Sequence, residues 1–117
     1  MSTEQRDDAA AEETAAAVPD LDPVIHAQAR LRVMVALAAL SPDDRITFPR
    51  LQQLLEMTAG NLSTHLRKLE DAEYVEITKA YEHRTPVTLV RLTARGRAAF
   101  EDYTKALHQL LDATGGD

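Results

Sequence analysis

The chain has 117 residues, a formal net charge of −6 and no cysteine. That length is expected to give one domain with a single modest core. The missing cysteines exclude a disulfide framework, a thiol redox sensor and thiolate metal sites. No uncharged apolar run reaches the length of a membrane span.

The charge is unevenly placed. Residues 1–22 hold seven acids and Arg6, whereas residues 23–117 hold twelve acids and twelve Lys or Arg, so the body of the chain is neutral. Residues 1–20 are mostly Ala, Glu, Asp and Thr. They offer too little apolar surface to offset the entropy of ordering and are expected to form a disordered acidic tail. Glu4, Asp7 and Asp8 stand where a secretory signal needs a basic start and an apolar stretch, so the expected location is the cytoplasm.

A long helix is expected from Pro23 to Leu40, capped by Asp22 and opened by a proline whose missing N–H does no harm. Its second half, Val33 to Leu40, is apolar on every side, which predicts cover on two sides. A short strand, Arg45-Ile46-Thr47, should follow. The next helix runs from Phe48 to Glu56, with Thr47 as cap and Phe48, Leu51, Leu54 and Leu55 on one side. Met57-Thr58-Ala59-Gly60 makes the turn, with Thr58 capping a second helix in which Leu62, Leu66 and Leu69 face inward.

At about 100° per residue, Gly60, Thr64 and Arg67 then point directly away from the core, flanked by Asn61, Ser63 and Lys68. Those side chains suit a helix that reads the DNA major groove. Asn pairs with adenine, Arg with guanine, and Ser, Thr and Lys with bases or phosphates, while Gly60 lets a phosphate approach the helix N-terminus. On periodicity alone an ordinary surface helix explains the pattern equally well, so the flanking elements decide. Tyr74–Lys79 and Pro86–Leu92 alternate and are β-rich, joined by a polar connection from Ala80 to Thr85. A hairpin directly after the reading helix is a wing. The fold class is therefore α+β, mostly α: a winged helix-turn-helix over residues 21–112, followed by a flexible C-terminus, 113–117. Arg84 near the wing tip can enter a minor groove, and Lys68, Lys79, Arg84 and Arg91 are the expected phosphate and wing contacts.

The last helix, from Thr93 to about Leu111, carries a stripe of Ala99, Phe100, Tyr103, Leu107, Leu110 and Leu111, with little domain left to pack against. The first and last helices are accordingly expected to build a two-fold dimer interface from Val33, Met34, Leu37, Leu40, Phe100, Tyr103, Leu107 and Leu110. Four histidines (His26, His65, His83, His108) lie far apart without ligand spacing, and no phosphate loop or nucleophile motif occurs, so neither enzyme, metal site nor cofactor is expected. His65 falls at the core edge of its helix, and His26 could be an interface group. Asp43-Asp44 reads as a loop end.

Several runs resemble the small bacterial winged-helix transcriptional regulators related to the MarR and ArsR groups. They are Leu21–His26, Arg30–Met34, Gly60–Glu70, Tyr74-Val75, Leu92-Thr93 and Gly96-Arg97. The likeness covers about three quarters of the chain and implies a homodimeric DNA-binding regulator, with the second and third helices as the reading unit. Glu73 stands where such proteins usually carry the glycine that ends the recognition helix, so it is expected in a left-handed cap. The wing has Glu82 and a single arginine. Two functions of different class follow. One is a sequence-specific transcriptional regulator, a repressor being expected, on double-stranded DNA with a near-palindromic operator. In it Asn61, Ser63, Thr64 and Arg67 read bases. The other is a winged-helix module that docks a protein partner, which a neutral body allows. Nothing in the residues marks a small-molecule effector site.

Overall fold

Asp22 caps the first helix as its position suggests: its Oδ1 accepts from the Val24 N–H at 2.9 Å, with Pro23 in the first turn. The structure, a computed structural model, describes residues 21–115, so the acidic segment 1–20 and residues 116–117 lie outside the described residues. In chain order the elements are α1 (Pro23–His26), α2 (Gln28–Ala38), β1 (Ile46–Thr47), α3 (Phe48–Leu55), α4 (Ala59–Asp71), β2 (Val75–Glu82), β3 (Thr85–Leu92) and α5 (Ala94–Gly115). The three strands form one antiparallel sheet in the order β1-β3-β2. This is the expected winged helix-turn-helix.

One long first helix was expected, and two are found. Ala27 is extended (φ −66, ψ 128) and separates α1 from α2. Neither proline nor glycine marks the break; tertiary contacts make it. Ile25 is fully buried, the Arg30 Nε donates to the Val24 carbonyl at 2.6 Å, and the Tyr74 hydroxyl donates to Asp22 Oδ2 at 2.5 Å. That bond to the carboxylate, more than its partial burial, holds the Tyr74 phenol above its usual pKa. Arginines also satisfy helix C-termini. Arg32 donates to the Leu55 carbonyl at 2.6 Å, and Arg97 reaches the Ala38 and Leu40 carbonyls at 3.5 Å.

The core gathers Ile25, Val33, Met34, Leu37, Leu51, Leu62, Leu66, Leu69, Val90 and Leu92 around the inner face of the sheet. Burying each such side chain contributes about 1.5–3 kcal/mol relative to leaving it in water. This corrects four of the eight residues expected at the interface. Val33, Met34 and Leu37 are fully buried within their own chain, and Tyr103 is almost so, its hydroxyl 3.0 Å from His26 Nδ1. The second half of α2 and the α5 stripe from Ala99 to Leu107 close a single core, because α5 returns across α2 and β3, whereas Leu111 is 55% exposed. Leu40, Phe100, Leu107 and Leu110 are only partly buried, and His26 is tied to Tyr103 within the chain. Val35, on the outward side of α2, is 52% exposed. Leu54 is also corrected: at 57% exposed it sits off the narrow stripe of Leu51 and Leu55 that an eight-residue helix presents. The last helix continues past Leu111 to Gly115.

Both helices of the helix-turn-helix end in the same way. Glu56 (φ 53) and Glu73 (φ 64) are left-handed, Met57 N–H reaches the Gln52 carbonyl, and Tyr74 N–H reaches the Leu69 carbonyl. Each is a Schellman ending with glutamate where glycine is favoured, at a cost of about 1 kcal/mol. At Glu73 the strain is offset locally, since Thr93 Oγ1 donates to its carbonyl at 2.6 Å and Arg95 pairs with its carboxylate at 3.2 Å.

Candidate nucleic-acid interface

Helix α4 starts where Thr58 accepts from the Asn61 N–H at 3.2 Å, and buries Leu62, Leu66 and Leu69. With those three inward, Gly60, Asn61, Ser63, Thr64, Arg67 and Lys68 are all exposed on the opposite side. A Cβ added at Gly60 would meet nothing within 4 Å, so the helix N-terminus is open to an incoming group. Thr64 donates its hydroxyl proton back to the Gly60 carbonyl at 2.9 Å. Its oxygen is thereby oriented as an acceptor, suited to an amino group of adenine or cytosine. Beyond Lys68 the outward positions turn acidic at Glu70 and Asp71, so the first half of α4 is the part suited to DNA.

The wing is tighter than the sequence suggested. The expected six-residue connection is instead a two-residue turn, with Glu82 paired to Thr85 and both His83 (φ 50) and Arg84 (φ 69) left-handed. Positive φ at both central residues matches the hairpin turn whose twist suits the strands. The resulting register decides which side chains share a face. Ile77 lies opposite Val90, Lys79 opposite Thr88, and Tyr81 opposite Pro86, continuing the inner face outward. Lys79 and Arg67 consequently line one cleft of about 660 Å³ between α4 and the wing, together with Ser63 and Thr88. Arg84 and Tyr81 project at the tip, where Tyr81 is 76% exposed.

Arg91 does not belong to this surface. It lies opposite Glu76, on the other face of the sheet, and binds that carboxylate through Nε at 2.8 Å and Nη2 at 3.3 Å. The guanidinium holds Glu76 below the usual carboxylate range, and Glu76 in turn raises Arg91. In contrast, Arg67, Lys68, Lys79 and Arg84 make no ion pair among the described residues. Arg50, exposed in the first turn of α3, is in the same condition and was missed in the sequence. Its signal was its place on the first helix of the motif, which crosses the DNA backbone in such proteins.

His65 lies at the core edge as expected, but among the described residues it lacks the hydrogen bond expected of a residue there. Its Nδ1 is buried without a hydrogen-bond partner among the described residues. Desolvation first, then the nearby charges of Arg30 and Lys68, lower its proton affinity. The unfolded chain, with a histidine pKa of about 6.5, takes up that proton first. Stability is therefore expected to be full above pH 6.5 and to fall as pH drops through the lowered folded value. Urea unfolding between pH 7.5 and 5 tests this: His65→Gln should flatten the dependence, and an unchanged slope would exonerate His65.

The chain matches the winged helix DNA-binding domain family over residues 29–111 and belongs to it. It is thus a DNA-binding regulator rather than an enzyme. It is 31% identical over 87 residues to an uncharacterised protein of Methanocaldococcus jannaschii, covering 74% of this chain and 91% of that one. A transcriptional regulator homologue from Pyrococcus horikoshii OT3 superposes with a TM-score of 0.71 at 28% identity, over 79% of this chain and 88% of that one. A MarR-family regulator from Silicibacter pomeroyi shares the fold, with a TM-score of 0.57 and 21% identity over 78% of this chain and 58% of that one. Two of these three relatives are archaeal, so the resemblance to bacterial regulators does not fix a bacterial origin. No helix among the described residues is long and apolar enough to cross a membrane.

Proposed function

We propose that the protein is a homodimeric, sequence-specific transcriptional repressor that binds a near-palindromic operator. The observation that carries this reading is the α4 surface: polar, open, and bordered by cations without ion pairs among the described residues. Asn61, Ser63, Thr64 and Arg67 meet base edges, Gly60 lets the helix N-terminus come close to the duplex, and Arg50, Lys68, Lys79 and Arg84 meet phosphates or the minor groove. Repression follows where the operator overlaps a promoter, since an occupied site excludes polymerase.

Two copies are needed because one α4 reads only a few base pairs. A two-fold dimer would set half-sites one helical turn apart, about 34 Å. With Val33, Met34, Leu37 and Tyr103 committed to the core, contact between subunits falls to Val35, Leu40, Phe100 and Leu107 and the far half of α5. That helix of 22 residues is roughly 33 Å long, more than the domain covers.

Selection of bound sequences from a random duplex pool, with the solution mass measured alongside, tests the proposal. An enriched palindrome and a dimer mass are expected. The affinity should also fall with salt at a log–log slope of roughly −5 to −7, for six to eight phosphate contacts. No enrichment and a flat salt response would favour a protein-docking module instead.

A further inference from the structure

Most cations away from the reading face are engaged, Arg45 and Lys105 being the exceptions among the described residues. Arg91 and Arg95 pair with Glu76 and Glu73, and Arg30, Arg32 and Arg97 donate to backbone carbonyls. Those of the reading face (Arg67, Lys68, Lys79 and Arg84) pair with neither acid nor carbonyl among the described residues. Glu70 and Asp71 share the clefts of these cations without pairing with them, and residues 1–20 add six further acids against a single arginine. The attachment of that segment is fixed beside α4. Asp22 is held by the Val24 N–H and the Tyr74 hydroxyl, and Pro23 and Val24 share a cleft with Lys68.

We propose that the acidic segment 1–20 docks on the reading face of α4 and the wing in the DNA-free protein, as a tethered competitor of DNA phosphate. This rests on the DNA-binding reading above. Reach is sufficient in either conformational extreme. Twenty residues span about 25 Å as a flexible chain and about 30 Å as a helix, against roughly 20 Å for the 13 residues of α4. A short tether gives an effective concentration in the millimolar range, so a weak electrostatic contact suffices. Docked segment and bound DNA exclude each other, so cognate and random DNA are weakened by one common factor. Discrimination between them is unchanged, while the occupancy of random DNA falls.

The test uses the full chain with its six acids neutralised: Glu4→Gln, Asp7→Asn, Asp8→Asn, Glu12→Gln, Glu13→Gln and Asp20→Asn. In DNA-free protein at low salt, amide resonances of Asn61, Ser63, Arg67, Lys68 and Lys79 should shift between parent and variant. The variant should bind random duplex on the order of threefold to tenfold tighter at low salt, with the gap closing as salt rises. Cognate duplex should gain by the same factor. Unmoved amides overturn the proposal whatever the DNA affinity, and so does a gap that persists at high salt. If neither protein binds DNA at all, the regulator reading fails, while the amide shifts still decide whether the segment docks.

Discussion

Gly96→Ala is expected to cost about 3 kcal/mol or more and to lower Tm by roughly 12–24 °C. An alanine Cβ at this position would lie 2.0 Å from the Tyr74 carbonyl oxygen and 2.8 Å from its carbon. The obstruction is backbone, so no rotamer relieves it. That carbonyl is held in place by the Thr93 N–H at 3.0 Å, while Thr93 Oγ1 caps the Gly96 N–H at 2.9 Å. Tyr74 directly follows the strained cap that ends α4. The close approach of Gly96 thus fastens the start of α5 to the end of the recognition helix, and separating them would change how α4 is presented. Gly60→Ala is the contrasting control. Its Cβ has open space inside a helix, so a gain of about 0.5–1 kcal/mol is expected. Thermal melts of both variants check the pair; a Gly96→Ala protein melting within about 3 °C of the parent would show that no such contact exists.

The elements that were legible in the sequence are those whose signals are local. Asp22 before Pro23, Thr58 before α4 and the Leu62-Leu66-Leu69 stripe all sit where capping and periodicity place them. The left-handed Glu73 was legible too, because the family resemblance implies a glycine cap at the position where this chain carries glutamate. What escaped depends on contacts distant in the chain. The break at Ala27 is made by Ile25, Arg30 and Tyr74 and has no mark of its own. The misplacement of Arg91 follows from the wing turn: a six-residue connection leaves the register open, whereas a two-residue turn at His83-Arg84 sets Arg91 against Glu76. Neither residue is the asparagine or glycine that usually announces such a turn. Four residues of the expected dimer stripe, Val33, Met34, Leu37 and Tyr103, lie in the core for a different reason. Apolar residues on all sides of α2 show that the helix is covered, but not whether the cover is another copy or the same chain's α5.

Arg67→Ala should lower affinity for the cognate operator by about 1–3 kcal/mol while leaving random duplex nearly unaffected. Arg67 stands in the wing cleft beside Ser63 and Lys79, exposed and without an ion pair among the described residues. Its planar fork is therefore free to engage the two acceptors of guanine, a geometry no single charge reproduces. Lys79→Ala should behave differently. A lysine on the strand next to that cleft offers a point charge to phosphate, so its loss should weaken all sequences alike and reduce the salt slope by about 1. Arg67→Lys separates charge from shape: it should keep the affinity for random duplex and lose the operator preference as fully as alanine does. Competition binding with cognate and random duplexes at two salt concentrations measures all three variants. Equal losses on both duplexes for Arg67→Ala and Lys79→Ala would mean that Arg67 only neutralises phosphate. Base reading would then have to come from Asn61, Ser63 and Thr64, whose short side chains reach the groove floor only if the exposed Gly60 end of α4 sits deep within it.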